Sequence, residues 1–335
     1  MRRFFFLSCL LIGLAHLGGN AQAPAFPDSI NNLVLPVRYP TAGTGAIPHF
    51  TKAGKGKITL ILIPGLGFDE TVFRDFQSAN KKQYTTYAVT IPGFGRTQAP
   101  RMPPPGTSYG ERTWMNSLIE GLEKLIREQK IKNPVLVGHF ALGAQVAMLY
   151  ALKYPNQVKG LICIGAPGKF IPIQNGKPML YSAENRVKGV DQFSAKFFQK
   201  MTKQYWDNGN YLPDIYSMDS VAGKSYWKQV AETPMPVIVR YLLEYQTCDI
   251  LTELSMLNVP IMILRPGFRP DLLDTPENPN TNYIKPQFIE SWEMLRTNPK
   301  VQIVDIPRSG SFTWHDKPQE TDAAIKGFLG KVKKK

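Results

Sequence analysis

The chain has 335 residues, of which 43% are hydrophobic, 20% charged and 11% aromatic. These values exclude a disordered segment, a collagen-like fibre and a multi-span membrane protein, and the length suits one large α/β domain with an insertion or two modest domains. The formal charge is +14, but Lys and Arg are spread along the chain. The only dense cluster is the tail Lys331, Lys333, Lys334 and Lys335. With no aromatic interleaving and no nucleic-acid motif, this reads as a solvated basic surface suited to an anionic envelope face, with no nucleic acid as partner.

In chain order, Met1, Arg2 and Arg3 form a positive start, followed by an apolar run from Phe4 to Leu17 and the small residues Gly18-Gly19-Asn20-Ala21-Gln22-Ala23. The run is too short to span a bilayer, so residues 1–21 are expected to be a Sec-type signal peptide cleaved after Ala21 or Ala23, placing the protein in the periplasm or outside the cell. A lipoprotein reading would need Cys9, but too little apolar sequence precedes it. Cleavage leaves Cys163 and Cys248, too few for a disulfide framework. Cys163 lies in the apolar string LICIG and reads as a small buried hydrophobe.

Continuous apolar runs then recur at Ile58–Ile63, Thr85–Ile91, Val135–Val137, Leu161–Ile164, Pro260–Leu264 and Val301–Ile306. Continuous runs, unlike alternating ones, belong to strands covered on both faces, as in a parallel sheet. Helical periodicity fills the gaps at Glu70–Ala79, Arg112–Glu128, Leu142–Leu152, Pro286–Leu295 and Pro318–Leu329. This alternation predicts an α/β fold with a doubly wound, mostly parallel sheet. Residues 168–257 break it with a stretch rich in aromatics, among them Phe197, Trp206 and Tyr226. They are expected to form a helical cap inserted between core segments 22–167 and 258–335.

Five strings in order resemble the α/β-hydrolase superfamily. LILIPGLGFDETVF (60–73) resembles the strand and oxyanion-hole loop, and TIPGFGRT (90–97) the end of the next strand. PVLVGHFALGAQVAMLYALKYPNQVKGLICIGAP (134–167) resembles the nucleophile elbow, its helix and the following strand. VPIMILRPGF (259–268) resembles the strand before the catalytic acid, and GSFTWHDKP (310–318) the histidine loop. The resemblance implies an α/β-hydrolase fold, a pocket under the cap and backbone donors for an oxyanion at Leu66 and Leu142.

The residues that would perform the chemistry are absent. In the elbow Gly138-His139-Phe140-Ala141-Leu142-Gly143-Ala144, the nucleophile position falls on Phe140 counted from the strand and on Ala141 counted from the helix. Neither can attack a carbonyl. Ala141 is preferred, with one extra residue in the turn. Ser311 stands where the general base belongs, ahead of Asp316 and Pro318 in the family's spacing, and a hydroxyl cannot accept a proton near neutral pH. The expected acid position carries Arg269, with Asp271 the candidate replacement and Asp274 a further one. His139 and His315 are the remaining candidate bases, and His49 reads as a surface residue.

The leading expectation is therefore an exported, degenerate, non-catalytic hydrolase whose pocket takes a small apolar molecule carrying a carbonyl or anionic oxygen. The alternatives are a hydrolase or lyase using Asp271, His139 or His315, and an envelope adhesion protein. No dinucleotide fingerprint, P-loop or metal-ligand spacing occurs, so neither cofactor nor metal is implied.

Overall fold

The computed structural model describes residues 45–171, 173–174, 177–178, 182–209, 212–275 and 281–332. The expected signal peptide with Ala21 and Ala23, Cys9, and the tail residues Lys333, Lys334 and Lys335 lie outside the described residues. Among the described residues no helix is long and apolar enough to cross a membrane.

Seven strands form one sheet: β1 (Phe50–Ala53), β2 (Ile58–Ile63), β3 (Tyr84–Val89), β4 (Val135–His139), β5 (Gly160–Ile164), β6 (Ile261–Gly267) and β7 (Val301–Pro307). Their spatial order is β1-β3-β2-β4-β5-β6-β7, all parallel except β1. The chain winds outward in both directions from β2 and β4, as a doubly wound α/β sheet does. Leu60, Ile61, Leu62, Ile63, Leu136 and Ile162 are fully buried, which is why these strands read as unbroken apolar runs. Strand β1 is the one that periodicity missed. Its residues Phe-Thr-Lys-Ala pair only with β3 at the sheet edge, and the middle two are exposed, so no buried face marks the sequence.

Helices cover both faces: α1 (Arg74–Asn80), α2 (Thr113–Glu128), α3 (Leu142–Lys153), α4 (Ser220–Glu232), α5 (Met235–Gln246) and α6 (Pro318–Val332). Helix α3 is buried almost all round, since it lies on the sheet and is covered in turn by α2 and α5. The expected helix at 286–295 is a π turn (Lys285–Ile289) running into a 3-10 turn (Glu290–Leu295).

The stretch 168–257 divides in two. Its first part, up to α4, lies over the ends of the strands, whereas α5 packs on α2 and α3 and is buried from Val237 to Gln246. The join is polar. Glu244 is fully buried, and its carboxylate accepts hydrogen bonds from Trp114 N at 3.1 Å, Met115 N at 2.9 Å and Thr113 Oγ1 at 3.2 Å. Helix α2 has no capping side chain of its own, since its N-cap is the left-handed Arg112. Glu244 therefore supplies from a distant helix the negative charge that an N-terminus favours. Arg240 Nε donates to the same carboxylate at 2.8 Å, and its guanidinium lies over the Tyr109 ring.

Removing Glu244 leaves the α2 amides without an acceptor and Arg240 without its buried counter-charge, held by Thr113 Oγ1 and the Tyr109 ring. Glu244→Ala is expected to lower stability by about 3–5 kcal/mol, with Glu244→Gln losing less, as read from urea unfolding midpoints at constant m.

Candidate functional site

The turn from β4 into α3 is built by close approach. A Cβ on Gly143 would lie 2.2 Å from the Pro64 carbonyl oxygen, so only glycine lets α3 start against the loop after β2. Two residues before it, Ala141 has φ 51° and ψ −103° and serves as the N-cap of α3. Phe140 before it also has positive φ, at 34°. Non-glycine residues rarely adopt such angles. A strained strand-to-helix residue is the conformation that presents a nucleophile in this architecture, and here it presents a methyl group. Phe140 is the additional residue. Its carbonyl oxygen and side chain press on the loop Pro64-Gly65-Leu66-Gly67, where a Cβ on Gly65 would come within 2.7 Å of each.

Ser311 is fully buried. Its Oγ donates to the Ile215 carbonyl at 2.7 Å, its backbone N donates to the same oxygen at 2.8 Å, and Phe312 N donates to Tyr216 O at 2.9 Å. A Cβ on Gly310 would sit 2.5 Å from the Tyr216 oxygen, so glycine is needed for the two backbones to run this close. Asp316 accepts from Ser217 Oγ, from Met218 N at 2.9 Å and from Gly310 N at 2.7 Å. The loop 310–316 is thus hydrogen-bonded along its length to residues 215–218.

Arg269, where the sequence resemblance leads one to expect an acid, joins the same seam. Arg269 Nη2 donates to Asp214 at 3.2 Å and its Nε to Asp271 at 3.1 Å. Asp271 is more than half exposed and paired with this arginine, and Asp274 pairs with Lys285. Neither lines the cavity described below.

Helix α4 completes the closure. Tyr226 stacks face to face on Phe312, with centroids 3.7 Å apart, and Val230 abuts Gly67. Between cap and elbow remains a cavity of about 90 Å³, walled by apolar side chains including Leu66, Phe140, Ala141, Phe170, Trp206 and Leu242. Leu142 lies behind Ala141, fully buried.

The histidines do not reach this cavity. His315 is exposed, edge-on to Tyr226, and His49 lies 3.5 Å from Glu70 on the surface. His139 is fully buried among Phe312, Trp314, Phe68, Phe73 and Phe140, with ring centroids 4.4 to 6.3 Å away. Neither ring nitrogen has a hydrogen-bond partner. Burial pushes its pKa down to about 3, against a weaker upward pull from the nearby Ser311 backbone, so the ring is neutral. Cys163 is likewise buried, its thiol pushed up to about 12, and is inert. Among the described residues no group of His, Cys, Asp and Glu could hold a metal ion. Sequence reasoning missed the hydrogen-bonded role of Ser311, because its acceptor is a backbone carbonyl that leaves no side-chain signal.

The sequence model of the alpha/beta hydrolase family matches residues 60–324, and the chain belongs to that family. It is 31% identical over 108 residues to the abhydrolase domain-containing protein abhd-5.2 of Caenorhabditis elegans, covering 32% of this chain and 23% of that protein. It is 27% identical over 163 residues to a 1-acylglycerol-3-phosphate O-acyltransferase of Arabidopsis thaliana, covering 48% and 35%. The matches thus span about a quarter to a third of these relatives' lengths. A thermophilic esterase from Thermogutta terrifontis superposes with a TM-score of 0.59 at 20% identity, covering 85% of this chain and 93% of that one. At that identity the likeness concerns the fold alone.

The neutral His139 has a measurable consequence. Its pKa lies below the 6.5 of a free imidazole, so between those values the unfolded chain binds a proton that the native state refuses. Its contribution to stability is present above pH 6.5 and is lost as pH falls toward 3, at up to about 1.4 kcal/mol per pH unit. In His139→Phe this component should vanish. Urea unfolding at pH 7 and pH 4.5 should show a smaller acid loss in the variant than in the wild type; equal losses would mean that His139 accepts a proton in the native state.

Proposed function

We propose that this protein is a non-catalytic member of the alpha/beta hydrolase family, exported, that binds a small apolar molecule bearing an oxygen in the cavity between cap and elbow. The observation that carries the reading is the use of Ser311. The hydroxyl at the base position donates to the Ile215 carbonyl, and the nucleophile position beside it holds the methyl of Ala141. Acyl transfer needs a nucleophile and a base within about 2.6–3.2 Å of each other, and neither member is available here.

A non-standard enzyme built on Asp271, His139 or His315 has less support. Asp271 is tied to Arg269, His315 is exposed, and a histidine with a pKa of about 3 is a poor base at neutral pH. An apolar cavity with few polar groups is the usual composition of a small-molecule site. The backbone amides of Leu66 and Leu142 are the donors that the fold would inherit for a ligand oxygen.

The test is direct. The purified protein should show no labelling by a fluorophosphonate probe and no hydrolysis of p-nitrophenyl acetate or butyrate above the buffer rate. Ala141→Ser should stay unlabelled too, because no base faces it. Stoichiometric labelling of a cavity serine in the wild type, or turnover that saturates with ester concentration, would defeat the non-catalytic reading.

A further inference from the structure

Three tyrosines reach the cavity from three separate elements. Tyr216 ends the cap turn Pro213–Tyr216, Tyr245 lies near the end of α5, and Tyr283 sits in the short helix Thr281–Ile284 between β6 and β7. Among the described lining residues, the polar side-chain groups are these three hydroxyls, the indole N–H of Trp206 and the amide of Gln287. Gln287 is already engaged: its Oε1 accepts from Ile171 N at 3.0 Å and its Nε2 donates to Ile171 O.

The Tyr245 hydroxyl is buried and has no hydrogen-bond partner in the protein. A buried hydroxyl in that state is costly unless something fills its vacant bond. Tyr283 lies close enough to both other phenols to act on them electrostatically, and burial raises the pKa of all three. All three are protonated at neutral pH and available as donors.

We infer that Tyr245 and Tyr283, with Tyr216 beside them, form a donor cluster that takes the carbonyl oxygen of an uncharged, compact, apolar ligand. This rests on the cavity being a ligand site, and it narrows the ligand class. Among the described residues the lining includes no Lys or Arg, so a carboxylate would lose its hydration without gaining a charged partner there. A ketone or aldehyde needs only an acceptor's share of hydrogen bonds. The cavity of about 90 Å³ limits the ligand to about the size of a single small ring while the cap is closed.

The test compares two molecules of nearly the same shape. Cyclohexanone carries the acceptor oxygen, and methylenecyclohexane replaces it with a CH₂ group. Both are titrated into the isotope-labelled full-length protein and followed by amide chemical shifts. The wild type should bind the ketone about tenfold more tightly than the hydrocarbon, the worth of one good hydrogen bond to a buried donor. In the double variant Tyr245→Phe with Tyr283→Phe the ratio should fall to about one through weaker ketone binding, with hydrocarbon binding retained. Tyr150→Phe, whose hydroxyl bonds Gln157 outside the cavity, should keep the wild-type ratio.

Equal affinities in the wild type would overturn the donor cluster while leaving the cavity a ligand site. A ratio that survives in a folded double variant would do the same. If the double variant fails to fold, the wild-type ratio alone decides. Binding of neither molecule by the wild type would instead remove the ligand-site reading and the donor cluster with it.

Discussion

Five consecutive residues, Asp214 to Met218, bond the segment before α4 to the loops that follow β6 and β7. Asp214 pairs with Arg269, Ile215 accepts from Ser311, Tyr216 accepts from Phe312, and Ser217 and Met218 donate to Asp316. The pair at Arg269 is partly exposed and contributes little by itself. The buried bonds matter more, because the Ile215 and Tyr216 carbonyls would otherwise lie unpaired in an apolar setting. Around this seam Phe68, Phe312, Tyr216 and Tyr226 pack edge to face or stacked.

This constraint gives a common reason for the substitutions. A histidine at 311 would place a bulky, titratable ring where a small hydroxyl now satisfies a cap carbonyl in a site with no solvent access. A carboxylate at 269 would face Asp214 with like charge. The elbow is altered in the same sense: Ala141 keeps the strained backbone but not the hydroxyl, and Phe140 fills space against Gly65 and packs near Tyr216. Backbone strain of this kind costs on the order of 1–3 kcal/mol. It persists because α3 must begin against the Pro64 carbonyl, and that packing requirement outlives any chemistry.

Much of the fold was legible in the sequence for a simple reason. Strands such as Ile58–Ile63 and Leu161–Ile164 are buried on both faces and therefore wholly apolar, while β1 escaped notice because an edge strand exposes its middle residues. At Ala141 and Ser311 the sequence shows residue types that cannot serve as nucleophile or base, and that much is visible without a structure. What Ser311 does instead is not. The acceptor for Ser311 is the backbone of Ile215, 96 residues away, and the capping of α2 by Glu244 spans a similar separation. Helix α5 lies inside the stretch 168–257 that breaks the strand–helix alternation, yet it packs on α2 and α3, with its polar residues Arg240 and Glu244 turned toward α2. The convergence of Tyr216, Tyr245 and Tyr283 depends on three loops meeting, which no spacing reveals.

If residues 214–218 are bonded permanently to the loops after β6 and β7, amide hydrogen exchange reads it most directly. The amides of Ser311 and Phe312 donate to the Ile215 and Tyr216 carbonyls. If the seam is permanent, they exchange as slowly as the amides within β5, opening only when the domain unfolds. Exchange of these two amides at the rate of the exposed loop around Gly106 would show that the cap swings free of the core, and would contradict the account.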